Sequence, residues 1–390
     1  MEPFIHLHVH TQYSLLDGQA SIDALIDKAQ KDGMNAIAVT DHGNMFGIKE
    51  FFNKVSKKNG KPLGAIKDLE KEQKALKGKE ALSTEEQARL QEIPSLIEAE
   101  KKKIFKPIIG CECYCARNGR HNKTAKEDRS GYHLIILAKN LKGYKNLIKM
   151  VSISWTEGFY GRPRIDHELL EKYHEDLIVC SACLGGEIPQ HIMHDRIDKA
   201  EESILWFKKL FGEDYYLEMQ RHETHDPNAD CTTYPKQQEV NKVLIELARK
   251  HNVKLIATND VHFVNQEDAE AHDRLICLST GKDLDDPTRM RYSKQEWMKT
   301  TAEMNAIFAD IPEALSNTLE IADKVDFYSI DSGPIMPTFA IPEDFGTEES
   351  YREKFSEQDL FEEFTRDENG NVVLSEEDAK DKIKKLGGYD

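Results

Sequence analysis

Near its start the chain reads FIHLHVHT, which places His6, His8 and His10 on every second residue. On an extended strand, residues two apart share a face, so these imidazoles converge on one side while Ile5, Leu7 and Val9 cover the other. Imidazoles packed together make poor core material, because each needs a hydrogen-bond partner and any that ionise repel one another. A bound cation resolves both problems: the neutral ring is a common metal ligand, and its second nitrogen can be held by a carboxylate or carbonyl. Other apolar runs end in groups of the same kind. NAIAVT is followed by Asp41 and His42, KLIATNDVH carries Asp260 and His262 two apart, Glu112 sits inside GCECY, and Asp17 follows the first run in SLLDG. These donors predict a metal site assembled from several strand ends. Asp41 suits either direct ligation or the orienting of a neighbouring ligand.

Seven short apolar runs are strand-like: 4–10, 35–40, 107–114, 132–138, 177–182, 214–220 and 254–260. Several are nearly continuous in apolar residues, as strands buried on both faces are. Helical patterns lie between them. SIDALIDKAQKDG at 21–33 has Ser21 to cap it, a stripe of Ile22, Leu25, Ile26 and Ala29, and Gly33 to end it. KQQEVNKVLIELARKHN at 236–252 has the same character. The alternation predicts an α/β fold, a distorted (βα)7 barrel of parallel strands with right-handed crossovers. In such barrels the carboxyl ends of the strands carry the chemistry, so the donors are expected on one rim. His133 opens the run 132–138 instead of closing it, and the rim rule does not account for it.

The 390 residues, 39% hydrophobic, suffice for more than one domain with a real core. The net charge of −17 argues against gripping duplex DNA unaided. Residues 341–390 hold 16 Asp and Glu against 7 Lys and Arg, an acidic tail expected to be partly disordered. Seven cysteines in a large chain suggest a reducing, cytoplasmic setting and not a disulfide framework. The first residues lack the basic and apolar regions of a signal peptide. No apolar run reaches the ~18 residues needed to span a bilayer. Residues 57–103, rich in Lys, Glu, Gln and Ala, read as an inserted, solvated helical hairpin. Beyond 280 the strand rhythm gives way to helical patterns. Cys111, Cys113 and Cys115 alternate around Glu112 and suit either a zinc clip or, more commonly, buried packing. His191, His194, His222 and His225 read as surface or loop residues. Trp155 and Phe159 read as packing residues more than as a base-stacking platform.

HLHVHTQYSLLDG, VTDHGNMFG, IIGCE, YHLIILAKN, SACLGGEIP and ATNDVHF, in that order, resemble the polymerase and histidinol phosphatase (PHP) domain. The closer likeness is to the branch that opens the alpha subunit of bacterial replicative DNA polymerase III. It extends over 1–280, with LICLSTGKDLDDPTRMRYS and the rest of 281–340 resembling the start of the polymerase region. The resemblance implies up to three metals held by His8, His10, Asp17, His42, Glu112, His133, Cys183, Asp260 and His262, with His6 and Asp41 in an outer shell. The mixed imidazole, carboxylate and thiolate donors favour zinc, with manganese or iron possible alternatives. Such a site implies a metal-dependent phosphodiesterase in which Asp17, Asp260 and His42 serve catalysis and Asp17 or Asp260 bridges two metals. The implied role is 3′–5′ trimming of a DNA end in DNA replication, with DNA and the other polymerase III holoenzyme subunits as partners and no membrane. An architectural module whose metals brace the polymerase is the alternative, and a small-molecule phosphatase is a third. The family's PDxDxDF-like polymerase motif is absent, so the chain is expected to be an amino-terminal fragment that does not extend primers alone.

Overall fold

The apolar runs build one seven-stranded sheet in the computed structural model, which describes residues 1–79, 81–337 and 345–385. Its strands are β1 (Ala36–Val39), β2 (Lys106–Cys115), β3 (Tyr132–Ala138), β4 (Arg164–Ile165), β5 (Leu177–Cys180), β6 (Tyr215–Met219) and β7 (Lys254–Ala257). All but the two-residue β4 fall on predicted runs. The order across the sheet is β1-β2-β3-β5-β6-β7, with β4 beside the end of β2. Residues 4–10 are not a regular strand, and only Val9 forms a bridge, with Val261. They nevertheless close the barrel. Ala38 N donates to His6 O and Thr40 N to Val9 O on one side, while His10 N donates to Val261 O and Val261 N to His8 O on the other. Both faces of the segment are buried, including all three histidines.

The expectation of parallel strands throughout is overturned at β3, which runs antiparallel to both β2 and β5; the remaining pairs are parallel. The cause lies in the connection. Residues 116–131 contain only a single 3-10 turn (Lys126–Arg129) and no crossover helix, so the chain re-enters the sheet from the end at which it left.

The helices are α1 (Ile22–Lys31), α2 (Ile48–Lys58), α3 (Gly60–Lys77), α4 (Thr84–Lys101), α5 (Leu141–Thr156), α6 (His167–Tyr173), α7 (Glu187–Met193), α8 (Ile197–Phe211), α9 (Thr233–His251), α10 (Ala269–Thr280), α11 (Thr301–Ile307), α12 (Glu313–Lys324), α13 (Glu348–Lys354), α14 (Glu357–Thr365) and α15 (Glu376–Lys385). In α1, Ser21 Oγ accepts from Ala24 N and the predicted stripe is buried. The segment 57–103 contains α3 and α4, packed on each other. Arg89 on α4 holds Glu72 on α3 through two hydrogen bonds of 2.9 and 3.1 Å, and Ser83 begins α4 in a capping box with Glu86.

The chain divides at a different place from the expected boundary at 280. One compact unit is Met1–Ile330 and the other Asp331–Asp390. Residues beyond 280 are bound into the first: Ile5 N donates to Thr318 Oγ1 at 2.9 Å, Glu2 N to Asn305 Oδ1 at 2.8 Å, and α12 packs on β7. Within the second unit, part of the tail expected to be disordered is helical. Ser356 caps α14, and Ala379 and Ile383 bury one face of α15. Residues 341–344 and 386–390 lie outside the described residues.

Asn59 ties the two ends of the hairpin excursion to the barrel. Its buried amide donates to Phe105 O at 2.7 Å and accepts from Phe105 N at 2.9 Å. Asn59→Ala leaves both backbone groups unsatisfied and is expected to cost about 2 kcal/mol or more of unfolding free energy. A urea midpoint that does not move would show that water replaces both bonds without loss.

Candidate metal centre

Glu112 sits where β2 is covered on both faces, and its carboxylate is 1% exposed. Backbone pairing sets its neighbours. His42, just past β1, forms a parallel bridge with Glu112, and the antiparallel register of β3 puts His133 opposite Tyr114. The reversal of β3 is why His133, at the start of its strand, stands on the rim where the other strands end. Four imidazoles face the one carboxylate. Oε1 is 2.8 Å from His133 Nδ1 and 3.4 Å from His8 Nε2; Oε2 is 2.6 Å from His42 Nδ1 and 3.3 Å from His10 Nε2. Asp260 Oδ1 lies 3.0 Å from His8 Nε2 and 3.2 Å from His10 Nε2. Asp17 Oδ2 lies 2.8 Å from His42 Nε2 and 3.5 Å from His262 Nε2. Cys183 Sγ is 3.5 Å from His133 Nδ1. All nine donors named from the sequence thus surround one centre. Glu112, more than Asp17 or Asp260, joins its parts.

Donor atoms point inward and crowd one another without forming well-angled hydrogen bonds. His8 Nε2, His10 Nε2, His42 Nδ1, His262 Nε2, Glu112 Oε2 and Asp260 Oδ1 are buried and lack a properly angled hydrogen bond, although neighbours lie close. Donors aimed at a shared point, and not at one another, suit a cation between them. Among the described residues, three groups have ligand atoms within 4.8 Å of one another: His8, His10 and Glu112; His10, His42 and His262; and His42, Glu112 and His133.

The outer nitrogens are held. His8 Nδ1 donates to Glu218 Oε1 at 2.6 Å, and Gln220 Nε2 donates to the same oxygen at 3.0 Å. His10 Nδ1 donates to Ser14 Oγ at 2.9 Å, which donates to Asp41 Oδ1 at 2.7 Å. Thr11 occupies the other oxygen of Asp41. Asp41 therefore orients His10 through Ser14. His262 Nδ1 donates to Asp260 O at 2.8 Å, and Tyr292 OH donates to Asp17 Oδ1 at 2.9 Å. In three histidines the inward Nε2 keeps its lone pair when the ring is neutral. Backbone strain gathers here as well: Leu16, Ala182 and Asp260 are non-glycine residues at φ of 59°, 61° and 47°, each beside or within the donor set.

Charge is balanced by protons in the metal-free state. Burial works against ionising every one of these groups, and for all but His10 the opposing charges prevail. The imidazoles hold Asp17, Glu112 and Asp260 well below the ordinary carboxylate range. Asp260, Glu218 and Glu112 raise His8, and Glu112 raises His42. Asp17 brings His262 up to about 9. Burial and the charged His42 and His262 keep His10 low.

The other residues singled out in the sequence lie outside the donor set. His6 does not support a ligand: its Nε2 donates to Lys299 O at 2.7 Å, its ring packs edge-on against Phe4, and burial lowers its pKa to about 4. Alternation gives it the right face, but two residues deeper in the barrel that face meets backbone. Cys111, Cys113 and Cys115 point into the hydrophobic core, away from Glu112, and form no clip. His222 is buried, with Nε2 at 3.1 Å from Asn259 O, whereas His194 and His225 are exposed. Trp155 and Phe159 are 42% and 45% exposed, so they are not core. Glu218 and Tyr292 were missed. A lone carboxylate inside YYLEM was a readable signal for Glu218; nothing local marks Tyr292, 275 residues from Asp17. A cavity of about 420 Å³ opens beside Asp17, His42 and His133, and another of about 240 Å³ beside Cys183, Asp260 and His262.

The family model described as the PHP domain matches residues 6–222. Among curated proteins, a DNA polymerase III subunit alpha from Borreliella burgdorferi is 43% identical over 362 residues, 92% of this chain and 27% of that one. Those of Treponema pallidum and Aquifex aeolicus are 34% and 36% identical, covering 96% and 90% of this chain and 27% of each relative. The chain thus spans about a quarter of the length of these relatives. A solved structure from Bifidobacterium adolescentis, described as a candidate metal-dependent phosphoesterase, covers 78% of this chain at 12% identity with a TM-score of 0.34.

The raised pKa of His262 fixes a pH dependence. A group that holds its proton more tightly when folded stabilises the fold fully below its unfolded pKa, near 6.5, and loses that contribution as pH rises through about 9. In chelator, unfolding free energy is therefore expected to fall between these values, and less steeply in Asp17→Asn. Identical slopes in denaturant titrations of the two proteins would contradict the pairing.

Proposed function

Because this chain belongs to the PHP domain family, we propose that its rim cluster holds up to three metal ions and hydrolyses phosphodiesters, removing nucleotides from the 3′ end of DNA beside the polymerase of a DNA polymerase III alpha subunit. The observation that carries this reading is the set of six buried, inward-facing donor atoms that crowd one another without a well-angled hydrogen bond. Imidazole, carboxylate and one thiol favour zinc, with manganese or iron as alternatives. His8, His10, Asp17, His42, Glu112, His133, Cys183, Asp260 and His262 are the ligand set. Bound there, such ions supply Lewis-acid activation of water and phosphate near neutral pH.

The chain's own residues do the rest. Glu218 and the Ser14–Asp41 pair fix the tautomers of His8 and His10, so their Nε2 atoms face the centre. Tyr292 holds Asp17 in place beside His42 and His262. Asp17, His42 and His133 line the larger cavity, through which a phosphodiester reaches the cluster. DNA and the other subunits of the holoenzyme are the proposed partners and the cytoplasm the proposed setting. All seven cysteines are free thiols, and no helix among the described residues is long and apolar enough to cross a membrane.

One observation favours a second, architectural role. The barrel closes on residues 6–10 through a few backbone bonds, and the donors His8 and His10 face Asp260 and His262 across that seam. Ions there would staple the barrel shut whether or not they turn over substrate.

Incubated with single-stranded DNA bearing a 3′ mismatch, the chain is expected to release nucleotides with zinc or manganese. Chelator and His8→Ala should abolish the reaction, and Glu218→Ala should cost about 10- to 100-fold. Lack of a chelator-sensitive, His8-dependent product rules out the nuclease. Melting measured in the same buffers tests the staple: saturating metal at about 100 times its Kd should add about 2.7 kcal/mol of stability, and an unchanged transition would remove the architectural role.

A further inference from the structure

Apolar side chains crowd the mouth of the larger cavity. Leu15, Phe46 and Trp155 line it at 68%, 57% and 42% exposure, and Phe159, 45% exposed, stacks on Trp155. Single exposed apolar residues are ordinary on a protein surface, but a group of large ones beside a polar pocket marks a binding site. The rings are arranged. Trp155 and Phe159 stack with centroids 5.6 Å apart and planes 18° from parallel, and Phe46 lies 6.1 Å from Trp155. The indole N–H of Trp155 donates to Gly43 O at 2.8 Å, the residue after His42, so the stack is pinned to the cluster.

Polar groups line the same cavity. Asn44, Ser130 and Arg162 share the cavity with Asp17, His42 and His133. Arg162 has no carboxylate partner among the described residues, and its guanidinium lies 5.7 Å from the centre of the Tyr114 ring. An occupant must therefore present flat apolar faces to Phe46 and Trp155 and an anionic group to Arg162 and the cluster. Unpaired nucleotides do both. With a net charge of −17 the chain cannot rely on a broad basic surface, which makes stacking the main source of affinity. Bases in a duplex already stack on one another and cannot lie on these rings without unpairing.

We propose that Phe46, Trp155 and Phe159 form a stacking platform for the unpaired bases of single-stranded DNA, feeding its phosphates past Arg162 to the rim cluster. The choice of DNA rests on the phosphodiesterase reading of that cluster. Stacking on exposed rings is tolerant of sequence, so the platform distinguishes unpaired from paired ends and not one base from another.

The test is binding of a short 5′-fluorescein oligothymidylate to the whole chain, read by anisotropy in metal-free buffer. Phe46→Leu and Trp155→Leu are each expected to weaken binding about tenfold. An abasic strand of the same length should bind the unaltered protein no better than the thymidylate binds these variants, and a blunt duplex should bind worst. Phe159→Leu, at an exposed position, keeps the test decisive if Trp155→Leu lowers the melting temperature. Unchanged affinity in Phe46→Leu and Phe159→Leu, or equal binding of abasic and base-bearing strands, overturns the platform. Without metal no strand is cut, so the two readings separate. Base-dependent binding of a strand that the metal-loaded chain never cuts supports the platform and removes the nuclease. A strand that is cut but bound without regard to its bases removes the platform alone.

Discussion

A carboxylate buried to 1% exposure cannot stay ionised without positive charge against it, and Glu112 is such a group in the middle of a core strand. His8 and His42, both raised above the ordinary imidazole range, supply that charge, and His10 and His133 complete the ring of imidazoles around it. Much of the fold serves this meeting. Parallel pairing of β1 with β2 sets His42 against Glu112, and the reversed β3 brings His133 to the same end of the barrel. With protons alone, three imidazoles are driven towards the charged form while His10 is held back by its charged neighbours. Cations in the same space would satisfy the carboxylates without this mutual repulsion.

Around the centre lies a layer of groups whose task is orientation. Glu218, Ser14 and Tyr292 each bind the outward side of a donor, Asp41 holds Ser14, and Gln220 and Thr11 in turn bond Glu218 and Asp41. Asp260 and the residues preceding Asp17 and Cys183 adopt left-handed backbone that side chains ordinarily avoid. Strain of this kind persists only where the surroundings over-determine it, and here it aims the carboxylates and the thiol inward. Precise donor placement is what the proposed phosphodiester chemistry would require, since misplacement by about an ångström is costly to catalysis.

Stability and chemistry draw on the same residues. The segment that closes the barrel is also the one that carries His8 and His10, and the residues beyond 280 that bind its backbone also send Tyr292 to Asp17. That is why the compact unit runs on to Ile330. A boundary drawn where the strand rhythm stops follows the sheet, whereas the centre needs the chain that wraps over it.

The sequence by itself determined six of the seven strands, the first helix with its cap and the charged hairpin, and it singled out nine His, Asp, Glu and Cys side chains that the fold gathers at one place, because each is written in residue type and local period. Apolar runs mark strands, and His, Asp and Glu at their ends are out of place unless something binds them. Tertiary structure decided the rest. The direction of β3 depends on a connection with no helical signature, and from it follows the position of His133. Which of three alternating histidines turns away depends on depth in the barrel, where His6 meets the Lys299 carbonyl. Glu112 became the hub, and Tyr292 the distant support of Asp17, only through contacts between residues far apart in the chain, which no local pattern encodes.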